Sequence, residues 1–214
     1  MLSNQQIAKI LGEYGVDAGP ESPLVQGIEA YVALLLRWNR TISLTTVTDL
    51  EGIVRFHFGE SLFGVSTVPI TGGRLADVGS GAGFPGLPLR MLLPELDLVL
   101  IESNAKKAAF LGEARRQLAL DHVEVFRGRM EEFVPVDSRE SPSGFDFVTA
   151  RAFGQFEELL QWAAERLGPQ GKIALWLGEA DVEAISRRGD WKWCPPVRIP
   201  GSERRYILAG SFRR

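Results

Sequence analysis

The spacing of apolar residues changes once along this chain, near residue 70. Before that point it has the period of helices. Ile7, Ile10, Leu11 and Tyr14 fall on one helical face over residues 3–14, Ser3 and Gln6 form a capping-box pair at its start, and Gly15 stops it. Ser22-Pro23 opens a second helix with a stripe of Leu24, Ile28, Tyr31, Leu35 and Trp38. Thr48 and Glu51 mark the start of a third in the same way. The stretch 66–73, Ser-Thr-Val-Pro-Ile-Thr-Gly-Gly, breaks the pattern and reads as a linker.

From residue 74 short apolar runs alternate with helical stretches. The expected strands are Leu75–Val78, Leu98–Ile101, Val123–Phe126, Phe145–Ala150, Lys172–Leu177 and Tyr206–Phe212. Lys106–Leu118 and Phe156–Leu167 are the clearest helices between them. This alternation predicts an α/β fold, Rossmann-like, with a doubly wound, mostly parallel sheet. The expected organisation is an N-terminal helical cap over 1–68 followed by a core over 69–214.

The first core strand runs into Asp77-Val-Gly-Ser-Gly-Ala-Gly-Phe-Pro-Gly-Leu-Pro88. Gly79, Gly81 and Gly83 allow a tight turn and a close backbone approach to a ligand. Gly81, Gly83 and Gly86 also match G-x-G-x-x-G, but a carboxylate at the strand tip, Asp77, would repel a dinucleotide pyrophosphate. Asp77 suits a ligand with a cation nearby. S-adenosylmethionine has an ammonium, a sulfonium and no phosphate. It is the expected cofactor, ahead of a dinucleotide and of a turn that holds no ligand.

In such a sheet ligands sit outside the carboxyl ends of the strands. Glu102 ends the second strand, about twenty residues beyond the loop, where a carboxylate can take both ribose hydroxyls. The turn after the third strand, Arg127-Gly-Arg-Met-Glu-Glu-Phe133, borders the expected adenine pocket. Met130 can pack on the base there, and Glu131 can face its amino edge. The fourth strand exits as Thr149-Ala-Arg-Ala-Phe153. Enzymes that methylate an exocyclic amine usually carry Asn/Asp-Pro-Pro-aromatic at this point. Arg151 therefore argues against an adenine-N6 or cytosine-N4 acceptor.

Composition narrows the picture. The 214 residues, 45% of them apolar, suit one α/β domain with a modest extension. No apolar run is long enough to span a bilayer, and Met-Leu-Ser-Asn-Gln-Gln shows no signal peptide, so the expected location is cytoplasmic. The single cysteine, Cys194, excludes an intrachain disulfide and argues against a Cys-based metal site or a Cys adduct to a ring carbon. It reads as a packing residue, and no metal is expected. The net charge of −3 does not advertise nucleic-acid binding, but from Arg187 onward eight basic residues face two acidic ones.

Further motifs fall into order along the chain: Trp38-Asn39, Leu44-Thr45, His57, Glu60-Ser61, the extended glycine motif, Lys106-Lys107 before Phe110-Leu111, Arg129-Met-Glu-Glu-Phe133, Arg151-Ala-Phe153 and Glu203-Arg204-Arg205. Together they resemble the bacterial 16S ribosomal RNA guanine-N7 methyltransferase G family, also called glucose-inhibited division protein B. The resemblance covers most of the chain and implies a class I S-adenosylmethionine-dependent methyltransferase; a small-molecule methyltransferase on the same fold, which the net acidity slightly favours, is the alternative expectation. The partner that the resemblance implies is 16S ribosomal RNA or the 30S subunit, and the implied enzyme is a cytoplasmic monomer. Gly79, Phe84, Met130, Glu131 and Arg151 would line the cofactor site. Lys106, Arg129 and Arg151 would meet RNA near the acceptor, with Lys107, Arg204 and Arg205 as further contacts. One position departs from the pattern: Leu177-Gly178 stands where members carry Lys-Gly.

Guanine N7 has an in-plane lone pair that is unprotonated at neutral pH, so its methylation needs alignment rather than a general base. That suits a chain with only two histidines. His57 is expected to pack or cap the N-terminal helices, and His122 to be structural. No catalytic acid or base is expected; Arg151 is the nearest candidate, in a phosphate- or cofactor-positioning role.

Overall fold

The computed structural model describes residues 2–134 and 144–214. Helix α1 (Asn4–Gly12) carries the expected capping box: the Gln6 amide donates to the Ser3 hydroxyl and the Ser3 amide donates back to Gln6 Oε1 at 2.8 Å. Helix α2 (Pro23–Asn39) is capped by Ser22. The third start lies one residue later than expected. Asp49, not Thr48, is the cap, and its carboxylate accepts from the Gly52 amide at 2.6 Å. Glu51 turns outward to Arg55 Nε at 2.8 Å and so closes no capping box. From here one helical run passes through α3 (Leu50–Gly52), a π-helical segment (Ile53–Gly59) and α4 (Glu60–Thr67).

The core then alternates: β1 (Gly73–Val78), α5 (Gly86–Leu92), β2 (Leu96–Glu102), α6 (Ala105–Gln117), β3 (Val123–Arg127), β4 (Phe145–Arg151), α7 (Phe156–Arg166), β5 (Leu167–Gly178), α8 (Glu179–Ser186), β6 (Trp191–Trp193), β7 (Val197–Arg198) and β8 (Arg205–Phe212). The sheet order is β3-β2-β1-β4-β5-β8-β6, with β7 also on β8. Strands β1 to β5 are mutually parallel and β8 runs antiparallel to β5. The chain reverses its winding between β1 and β4, which puts the switch point at the end of β1.

Strand side chains alternate between two cores, as the period of two requires. Leu75, Leu98, Leu100, Trp176 and Ile207 face α1, α2, α4, α5 and α6. Ala76, Val78, Val99, Ile101, Val148 and Leu175 face α7 and α8. The N-terminal helices thus share one apolar cluster with the sheet. Val68 and Ile70, in the stretch that reads as a linker, are buried in it.

Two strands have no counterpart in the sequence reading. β6 and β7 span three and two residues, too short for a period to show, and both pair along the outer edge of β8. Cys194 lies between them. It is exposed rather than packed, because the Cys-Pro-Pro segment runs along the sheet edge, held by its amide to the Ala209 carbonyl at 2.8 Å. His122 is exposed, just before β3, and its carbonyl accepts from the Leu98 amide at 2.8 Å.

Candidate active site

The loop after β1 is built around backbone that side chains would spoil. Gly81 sits at φ +59°, and a Cβ there would meet nothing nearer than the Gly79 carbonyl at 3.8 Å. The position therefore faces open space. Gly79, at φ +69°, has the opposite reason: a Cβ would come within 2.8 Å of the Phe153 ring. The Gly81 amide donates to Glu102 Oε2 at 2.8 Å, and the Asn104 amide donates to Glu102 Oε1 at 2.7 Å. Each oxygen keeps a lone pair, so the carboxylate is oriented by the backbone yet still able to accept from a diol.

The N-terminal helices hold the loop from behind. The buried Tyr31 hydroxyl donates to the Ala82 carbonyl. The His57 ring stacks on Phe84 at 4.8 Å, and its Nε2 lies 2.7 Å from Thr45 Oγ1. Burial, with Arg151 and Arg205 nearby, lowers the His57 pKa to about 4. His57 is a packing residue, as expected. Phe84 is buried against His57, Tyr31 and Phe58 and lines neither cavity described below. It supports the loop rather than facing a cofactor.

Asp77 is also placed differently from the sequence reading. Its carboxylate is fully buried. Oδ1 accepts from Thr149 Oγ1 at 2.9 Å and Oδ2 from the Gly86 amide at 3.3 Å. Burial raises its pKa to about 7, against the hydrogen bonds that favour its charge. Direct contact with a ligand is closed off. Asp77 instead ties β1 to β4 and to the start of α5.

Two cavities meet at Phe153. The smaller, about 140 Å³, is lined by Val78, Gly79, Ile101, Ser103, Gly128, Arg129, Met130, Glu131, Phe153 and Gln155. The larger, about 500 Å³, lies between β4, β5 and the start of β8 and is lined by Arg151, Phe156, Trp176, Leu177, Gly178 and Arg205 among others. At its floor Glu60 is 1% exposed and meets two arginines. Arg151 Nη2 donates to Glu60 Oε2 at 3.0 Å. Arg205 Nη2 lies 2.9 Å from Oε1 as a charge contact without hydrogen-bond alignment. Burial pushes the Glu60 pKa up and the two guanidinium groups pull it down. Trp176 Nε1 donates to the Glu60 carbonyl at 2.7 Å, fixing the backbone that carries the carboxylate.

The family model for rRNA small subunit methyltransferase G, GidB, matches residues 24–191. The chain belongs to this family. It is 35% identical over 178 residues to the ribosomal RNA small subunit methyltransferase G of Legionella pneumophila strain Corby, covering 83% of this chain and 79% of that protein. It is 40% identical over 183 residues to the protein of the same description from Stutzerimonas stutzeri strain A1501, covering 84% and 82%. Among solved structures the fold resembles a precorrin-6y C5,15-methyltransferase from Geobacter metallireducens GS-15 (TM-score 0.60, 15% identity, 82% of this chain and 96% of that one). It also resembles an O-methyltransferase from Bacillus cereus in complex with SAH (TM-score 0.61, 16% identity, 86% and 90%). Family and fold agree on S-adenosylmethionine as the methyl donor of this methyltransferase.

Within this family member the smaller cavity gathers Gly79, Arg129, Met130 and Glu131 from the sequence-derived site. Gly81 and Glu102 line neither cavity and are joined to each other on the loop beside Gly79; Gly83 packs inward on Leu87 and Leu111. Arg151 belongs to the larger cleft instead. The basic candidates separate. Lys106 and Lys107 stand on the first turn of α6, where the Asn104 side chain caps their amides, and Lys106 is exposed. Arg204 is exposed, whereas its neighbour Arg205 turns into the cleft and lies over the Phe56 ring. Glu60 was visible only as part of the His57…Glu60-Ser61 motif. Its partners lie 91 and 145 positions away, beyond any local pattern. Phe153, the wall between the cavities, was legible only through its motif.

Proposed function

We propose that this chain methylates N7 of a guanine in 16S ribosomal RNA, in the cytoplasm, as protein-free RNA or within the 30S subunit. The reading rests on one observation: a family member of this kind has a cavity at its glycine loop that adjoins a larger, guanidinium-lined cleft at Phe153.

The residues present fit the cofactor. The open space at Gly81 admits a ligand against the backbone, and Glu102 is set to accept from a ribose diol. Met130 offers its side chain to the base. Bound S-adenosylmethionine would supply an electrophilic methyl group on a sulfonium. The chain's own part is to align the acceptor and exclude water. Phe153 and Phe156 present half-buried rings to the cleft, surfaces on which an unstacked base can lie. Guanine N7 loses no proton on methylation, so no side chain has to act as a base. Lys106, Lys107, Arg129, Arg204 and Arg205 are the proposed RNA contacts around the two openings.

Methyl transfer from labelled cofactor to purified 30S subunits, to protein-free 16S RNA and to a panel of small metabolites tests this reading. Label in 16S RNA is the expected result. Label confined to a metabolite would replace the RNA acceptor with a small molecule.

A further inference from the structure

Two arginines that would repel each other reach one buried carboxylate at the floor of the larger cleft. Arg151 comes from the end of β4 and Arg205 from the start of β8. Glu60 meets them from the helical run that precedes the sheet, at 3.0 and 2.9 Å. Three segments far apart in sequence converge on a group whose side chain is 2% exposed. The triad carries two positive charges and one negative, so it keeps a net positive charge inside a cleft.

The arrangement leaves donors over. Arg151 Nη1 is buried without a hydrogen-bond partner among the described residues. Arg205 keeps 40% of its side chain exposed while Phe56 supports its guanidinium from one side at 4.8 Å. Arg205 is also paired across the sheet with Gly178, beside Leu177. It thus supplies a cation at the end of β5, where Leu177 offers none. Guanidinium forks match the oxygens of a phosphate, and a partner carboxylate that locks their rotamers makes that match cheaper in entropy.

We infer that Glu60 is a positioning residue that holds Arg151 and Arg205 together as a receptor for one phosphodiester group of the RNA strand carrying the acceptor base. The inference rests on the RNA reading given above. It assigns Glu60 no contact with substrate: the arginines bind and the carboxylate sets their geometry.

Glu60→Gln keeps the shape and removes the charge. With 16S RNA or 30S subunits as substrate, the expected result is a rise of about tenfold in KM for RNA, because the guanidinium groups released from the carboxylate lose the geometry of about one charge-assisted contact to the phosphate. The value of kcat and the affinity for S-adenosylhomocysteine stay within about twofold. The slope of log affinity for RNA against log salt falls by about one. A residue with only a structural role would lower Tm without moving KM for RNA selectively. Should Glu60→Gln fail to fold, Arg205→Gln carries the same readout from a more exposed position, and Arg205→Lys should raise KM while keeping the salt slope. Unchanged KM and slope in Arg205→Gln overturn the proposal. So does a fall in S-adenosylhomocysteine affinity with KM for RNA unmoved, which would give the pair to the cofactor's carboxylate. A wild-type protein that neither binds nor methylates the RNA overturns the functional reading itself, and this proposal with it.

Discussion

The hydroxyl of Tyr31 donates to the backbone carbonyl of Ala82. Helix α2 thereby holds the glycine loop across fifty-one positions of sequence. The phenol is fully buried and its ring makes edge contacts with Phe58, Phe84 and Phe110. The N-terminal helices are therefore part of the loop's support.

Tyr31→Phe keeps those ring contacts and leaves the Ala82 carbonyl without its donor. The expected cost is about 1–3 kcal/mol, read as a lower Tm. Cofactor affinity should fall with it, because the loop loses one of its restraints. Calorimetric titration with S-adenosylhomocysteine checks this; an unchanged affinity would show that the loop is held by packing alone.

Gly81→Asp should fold and fail to bind cofactor. The position tolerates a Cβ sterically, and a non-glycine residue at φ +59° costs about 1–2 kcal/mol in backbone conformation. The new carboxylate would enter the open side of the loop, near Glu102. A folded Gly81→Asp protein with wild-type affinity would remove the cofactor from this loop.

The positions of the glycine loop, Glu102 and Met130 at or just after consecutive strand ends were legible in the sequence, because those strands show as short apolar runs alternating with helical stretches. The expected contact from Asp77 failed for a physical reason. At the switch point its neighbours on β4 and α5 offer a hydroxyl and an amide, and these satisfy the carboxylate before any ligand can. The Glu60 triad was not legible at all. Nothing local to residues 57–61 records that Arg151 and Arg205 will arrive there. The π-helical segment Ile53–Gly59, which sets the direction of Glu60, likewise leaves no mark that hydrophobic spacing can show.

Asp77 makes stability depend on pH. Its folded pKa is about 7 against 3.8 for the free side chain. A raised carboxylate pKa means the folded protein binds the proton more readily. Its contribution is present below the free value and is lost as pH rises from about 4 to about 7. In Asp77→Asn this slope should vanish, with the Thr149 hydroxyl able to turn and accept from the new amide. Denaturant melts between pH 4 and 8, taken as the difference between the two proteins, read it directly. Equal slopes would mean that Asp77 is ionised throughout.

His57 has the opposite sign. Its pKa near 4, against 6.5 when free, means that the ring is neutral in the folded protein over the physiological range. Its contribution is full above about 6.5 and is lost as pH falls toward 4. Single-turnover methylation should therefore show no ionisation in the histidine range, and His57→Gln should keep most of the activity. An acid limb near pH 6.5 that this substitution abolishes would establish His57 as a base.

Chemical mapping of the product decides most. Purified protein, methyl-labelled S-adenosylmethionine and unmethylated 30S subunits or 16S RNA are incubated. One portion of the RNA is digested and its nucleosides are separated by chromatography against the isomeric methylguanosine standards, and another is cleaved at 7-methylguanosine by borohydride and aniline to give the position. The expected product is 7-methylguanosine, from a single position of 16S RNA. Methyl groups on an exocyclic amine or a ring carbon, or none in the RNA at all, would contradict the proposed function.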